Sequence, residues 1–147
     1  KKMMSKDEVV ETFEEYAVYL RLDDQESRAF AYDKAGRAIR KERRIPSNPA
    51  EIKNIGGSIR EAVVELQYGS TIDELAKLKD KYSWFGELSQ IEGLGPSRAR
   101  AIHNTLDVDT LQDVLDKSDE LTDVDGIGPK TASDIVEQAR AIEDQRS

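Results

Sequence analysis

Ile91-Glu92-Gly93-Leu94-Gly95-Pro96-Ser97-Arg98-Ala99 recurs, 33 residues later, as Val124-Asp125-Gly126-Ile127-Gly128-Pro129-Lys130-Thr131-Ala132. The shared order is apolar, acidic, Gly, apolar, Gly, Pro, polar, polar or basic, Ala. Two copies are too few for a stacked solenoid, so the repeat reads as a paired motif. Each residue type has a physical reason. Gly93 and Gly126 allow a sharp turn through backbone angles closed to side-chain-bearing residues. Leu94 and Ile127 are expected to point inward and pin the turn. Gly95 and Gly128 leave the backbone open to a close approach. Pro96 and Pro129 open a helix, where a missing N–H costs nothing. The N–H groups that follow then point outward and, with the helix dipole, form an anion site. Ser97, Arg98, Lys130 and Thr131 stand beside it. Such a site holds phosphate and reads no base. A dinucleotide-binding turn is excluded, because it needs a preceding strand and a longer glycine pattern.

The flanking sequence reads as helices with short connections, an all-α chain. Ser5 and Glu8 form a capping box ahead of Val9, Val10, Phe13, Tyr16, Ala17 and Leu20 at helical spacing. Asp23-Asp24 breaks that pattern. A second helix is expected from about Gln25 to about Arg43, with a small-residue side of Ala31, Ala35, Ala38 and Ile39. Pro46-Ser47-Asn48-Pro49 ends it and caps a short helix. Further helices follow Gly56-Gly57, through Ile59, Ala62, Val63 and Leu66, and start near Thr71, through Ile72, Leu75 and Leu78. No period-two alternation occurs, so no sheet is expected. The domains expected are 5–80, four helices, and 86–143, the paired motif.

Composition narrows the chemistry. The chain of 147 residues has no cysteine and one histidine, which removes disulfides, thiol catalysis and multi-histidine metal sites. His103 reads as a surface or phosphate-flanking residue, and Trp84 and Phe85 as packing at the joint between the two domains. No run approaches a membrane span and no signal peptide opens the chain, so the expectation is a cytoplasmic protein, nucleoid-associated if prokaryotic. The net charge of −8 is unevenly spread. Arg28–Arg44 carries seven cations against two acids, whereas Asp107–Asp125 carries eight acids against Lys117.

In full order the chain resembles the amino-terminal region of family X, DNA polymerase beta-like, DNA polymerases. The resemblance rests on Phe30–Ile39, Ile52–Ile59, Leu88–Ala99 with Thr110-Leu111, and Leu121–Ala132. It implies a small lyase-type helical domain followed by a paired helix-hairpin-helix subdomain. It also implies sequence-independent binding of duplex, nicked or gapped DNA in repair. The implied phosphate-binding positions are Gly93, Gly95, Ser97 and Arg98, then Gly126, Gly128, Lys130 and Thr131, and in a degenerate first-domain hairpin Gly56 and Ser58. Asn54 replaces that hairpin's usual first glycine. Arg28 and Tyr32 match a 5′-phosphate pocket. The carbonyls of Ser89, Ile91 and Leu94, and less directly Ala50, Ile52 and Ile55, match a site for Na+ or K+; no other cofactor is implied. The Schiff-base lysine of lyase-active members falls on Ala62, and the palm domain with its carboxylates is missing. No catalytic residue is therefore assigned in this chain. Two alternatives remain: a 5′-deoxyribose phosphate lyase using Lys34 or Lys53, and a protein-interaction module with degenerate hairpins. Nothing indicates an oligomer or a membrane partner.

Overall fold

A computed structural model describes residues 4–53 and 55–146; Asn54 lies outside them. The described residues contain helices and no strand. They pack as two compact units, one ending at Asp80 and the other beginning at Lys81.

In the first unit, α1 (Lys6–Leu22) starts at the predicted capping box, with Ser5 accepting from the Glu8 N–H and Glu8 from the Ser5 N–H. Asp24, at φ 60°, turns the chain into α2 (Glu26–Arg40); Asp tolerates that left-handed angle better than most residues. The two helices pack through Val9, Val10, Phe13, Tyr16, Ala17 and Leu20 against Ala29, Tyr32, Ala35, Gly36 and Ile39. A Cβ on Gly36 would meet Val10 Cγ1 at 3.9 Å, an ordinary contact, so α1 passes Gly36 with room for a methyl group. Ala31 and Ala38 are only half-buried. Helix α2 ends at Arg40, three residues short of the expected Arg43. Ile39 is its last buried residue, and Lys41, Arg43 and Arg44 beyond it are exposed, so burial does not hold a further turn. Lys6 Nζ donates to the Glu42 carbonyl at 2.7 Å and closes that end.

A 3-10 turn (Pro49–Glu51) leads to α3 (Gly57–Gln67), which buries Ile59, Ala62, Val63 and Leu66 as expected. A Schellman turn ends it: Gly69 has φ 85°, and the Gly69 and Ser70 N–H groups donate to the Leu66 and Glu65 carbonyls. Then α4 (Asp73–Lys81) buries Leu75 and Leu78.

The second unit consists of α5 (Ser83–Leu88), α6 (Pro96–Leu106), α7 (Leu111–Asp116), a 3-10 segment (Ser118–Asp123) and α8 (Pro129–Arg146). Asp107, at φ 56°, ends α6, and a reciprocal Thr110–Asp113 capping box starts α7. Lys117 Nζ donates to the Leu106 carbonyl and joins the end of α6 to the end of α7. Among the described residues the core contains no polar or charged side chain. No described helix is long and apolar enough to cross a membrane.

Candidate nucleic-acid interface

The two repeats fold to the same geometry. In the first, the Ile91 N–H donates to Leu88 at 3.1 Å, Leu94 to Ile91 at 3.2 Å and Ala99 to Gly95 at 3.0 Å. In the second, Val124 donates to Leu121 at 3.1 Å, Ile127 to Val124 at 3.1 Å and Ala132 to Gly128 at 2.9 Å. Gly93 has φ 84° and Gly126 φ 87°. Leu94 and Ile127 are buried as pins, and Ala99 and Ala132 pack beneath the helix start. Thus α5–turn–α6 and the 3-10 segment–turn–α8 form two hairpins in one register.

The amides at both turns are open. Gly93, Gly95, Ser97, Arg98, Gly126, Gly128 and Lys130 are exposed, and Thr131 is half-buried. Among the described residues, the backbone N–H groups of these eight have no acceptor in the protein. The first N–H groups of a helix lack an intrahelical partner, so an external anion is the natural one. A Cβ built on Gly95 or Gly128 meets nothing within 4 Å, so the space above each backbone is free. Among the described residues, Arg98 and Lys130 form no ion pair, leaving both cations available. The Ile91 carbonyl, one of three expected to face a monovalent cation, accepts the Leu94 N–H. The Ser89 N–H donates to Phe85 at 2.7 Å and its hydroxyl to Gly86 at 3.1 Å.

One residue that local motif reading misses links the hairpins. Gln138 on α8 accepts the Glu92 N–H at 2.8 Å and donates to the Glu92 carbonyl at 3.2 Å. It clasps both polar groups of the residue before Gly93. The pairing spans 46 positions, so no short pattern could reveal it. Beside the clasp, a cavity of about 470 Å³ opens between the hairpins, lined by Gly93, Leu94, Arg98, Thr131 and Gln138 among others.

Trp84 and His103 have a specific partner: each other. Their rings stack 4.1 Å apart and 3° from parallel, both within the second unit. His103 Nδ1 lies 2.9 Å from the Val108 carbonyl and 3.1 Å from Asp109 Oδ1. Phe85 is buried in the same unit.

The first unit is less open. Gly56 and Ser58 are exposed at the start of α3, and the Arg60 N–H donates to Gly56 at 3.0 Å, the bond that Ala99 makes to Gly95. Ile52 and Ile55 are buried. Arg28 and Tyr32 come together around Tyr16, but Arg28 already has partners. It donates to Glu74 at 2.6 Å, Gln25 at 2.7 Å and the Tyr16 hydroxyl at 2.7 Å. Tyr32 packs edge-on against Phe13 and Tyr16 at 5.0 and 4.7 Å. Burial pushes the Tyr16 phenol up to about 12, with Arg28 opposing the rise. Burial likewise raises Tyr32. A phosphate at Arg28 would therefore compete with the Glu74 carboxylate. Ala62 is buried, and α3 contains no lysine. Among the described residues no cluster of His, Cys, Asp or Glu is arranged to hold a metal ion.

These hairpins define a tandem helix-hairpin-helix domain. Residues 85–141 match the family of SAM-like helix-hairpin-helix tandems, which points to nucleic-acid binding. No curated protein matches the chain.

Proposed function

We propose that the second unit binds DNA without sequence preference, the hairpins at Gly93–Gly95 and Gly126–Gly128 each holding a backbone phosphate. The observation that carries this reading is the pair of turns with matching hydrogen bonds and φ angles whose helix-start amides have no acceptor within the described protein. Two phosphate clamps held in fixed register follow a backbone and read no base. Arg98 and Lys130 add charge beside the clamps. The resemblance to the amino-terminal region of family X polymerases extends this to nicked or gapped DNA in repair. Arg28 and Tyr32 then receive a 5′-phosphate once Glu74 yields, and Na+ or K+ sits at the hairpin carbonyls. With alanine at position 62, this reading gives the chain a binding role.

The test is fluorescence anisotropy on intact, nicked and 5′-phosphorylated gapped duplexes at two salt concentrations. Affinity is expected to fall steeply with salt, to be equal for unrelated sequences, and to be highest for the gapped substrate. A strong difference between unrelated sequences would overturn the phosphate-clamp reading. Equal affinity for all three substrates would remove only the gap preference.

A second reading, a 5′-deoxyribose phosphate lyase with a non-standard lysine, has one observation in its favour: Lys34 and Lys53 line the same cavity. Borohydride trapping on an incised abasic substrate decides it. An adduct lost in Lys34→Ala or Lys53→Ala would establish that chemistry.

A further inference from the structure

Helix α2 carries a second charged surface, separate from Arg28 and Tyr32. Phe30, Lys34, Arg37 and Lys41 recur at i, i+4, i+7 and i+11, so at about 100° per residue they share one stripe. The same arithmetic places Arg28 and Tyr32 roughly on the opposite side of the helix. Lys34, Arg37 and Lys41 line a cavity of about 420 Å³ together with Ala38, Glu42, Glu51 and Lys53. Four cations face two carboxylates there.

None of the four cations is neutralised. Among the described residues, Lys34, Arg37, Lys41 and Lys53 form no ion pair and no side-chain hydrogen bond, although Glu42 and Glu51 line the same cavity. Elsewhere in the unit, Arg21, Arg28, Arg40 and Lys79 each pair with an acid, whereas among the described residues Arg43, Arg44 and Lys77, like the row, do not. The row stands unneutralised although the chain has 30 acids against 22 lysines and arginines. The row also repels itself, because residues three and four apart on a helix are neighbours. Beside it Phe30 is 60% exposed, one of two large apolar side chains left in solvent among the described residues.

Cations tracking a backbone beside an exposed aromatic ring are what a single nucleic-acid strand needs: phosphates meet the charges and a base stacks on the ring. Lys34 to Lys41 covers about 10 Å along the helix axis, the axial rise of about three nucleotides of one strand. A duplex offers the charges but hides its base faces, so the exposed phenyl ring favours an unpaired strand. We propose that the stripe formed by Phe30, Lys34 and Arg37 of α2 and by Lys41 at its C-cap binds single-stranded nucleic acid, with one base stacked on Phe30. The proposal does not depend on the hairpins.

The test measures anisotropy of the full chain with a mixed-sequence 15-nucleotide single strand and with the matching blunt duplex. Phe30→Ala is expected to weaken single-strand binding about five- to hundredfold and to leave duplex binding unchanged. Lys34→Gln/Arg37→Gln/Lys41→Gln is expected to make the single-strand salt slope shallower by about 2. Circular dichroism checks the fold of both variants, and neither removes a core side chain. As an independent readout, Phe30→Trp adds indole emission that the single strand quenches. Unchanged single-strand affinity in Phe30→Ala, or equal losses on strand and duplex, would overturn the proposal. Loss of duplex binding alone, in Arg98→Glu/Lys130→Glu, would test the hairpin reading and leave this one standing.

Discussion

The two glycines of each turn differ in backbone angle, and single substitutions separate turn-making from the proposed phosphate contact. Gly126 has φ 87°, where an L side chain is strained whatever space surrounds it. Gly126→Ala is expected to destabilise the second unit by about 1–2 kcal/mol, measured as a shift in the urea midpoint. Gly128 is not among the positive-φ residues, and a Cβ there meets nothing within 4 Å. Gly128→Ala should therefore leave the urea midpoint unmoved and weaken DNA binding, because the methyl occupies the phosphate's approach. If Gly128→Ala bound duplex as tightly as the parent, the clamp would not be at that backbone. The turn angle at Gly93 and Gly126 was legible in the sequence, since it is a local demand that leaves a local pattern. The state of Arg28 was not. Its partner Glu74 lies 46 residues away, and sequence motifs carry no record of which acid a cation meets.

Packed elements add constraints that helical periodicity alone does not contain. The capping boxes of α1 and α7 and the buried side of α3 follow from spacing, because caps and stripes involve neighbours three or four apart. The clasp of Gln138 on Glu92 does not. Gln138→Met keeps the length of the side chain but leaves the two exposed Glu92 groups to water, at a cost of about 0.5–1.5 kcal/mol. It is expected to lower duplex affinity by loosening the first turn. Gln138→Glu, which still accepts the Glu92 N–H, should recover part of the loss. The same unit has an acid-sensitive joint. Arg146, then the Leu111 N–H, hold the Glu87 carboxyl below its usual range against the opposing effect of burial. The Asp109 and Thr110 amides likewise hold Asp113 down. Groups with depressed folded values stabilise the protein above their unfolded values, near pH 4, and lose that contribution as pH falls through the folded ones. Thermal melts from pH 6 to pH 2 should show the melting temperature of the second unit dropping below about pH 4. Glu87→Gln should flatten part of that drop.

At the scale of the whole molecule, charge placement matters more than charge total. A net −8 argues against nucleic-acid binding only if charge is evenly spread, and it is not. Reversing Arg98 and Lys130 to Glu should make the duplex salt slope shallower by at least about 2; an unchanged slope would remove both residues from the interface. The repeat disclosed the second unit almost completely, since its 33-residue register survives in every matching hydrogen bond. The first unit has no internal copy to check itself against, so its cationic stripe read only as a basic run until the cavity lining was seen. The stacked pair in the second unit has a practical consequence. Trp84 is the chain's single tryptophan and lies against its single histidine. Selectively excited tryptophan emission therefore listens to one unit only, whereas far-ultraviolet dichroism hears both. Chemical denaturation followed by the two signals at once will tell whether the halves let go together. Overlapping curves mean one cooperative molecule, and displaced curves mean two beads on a string.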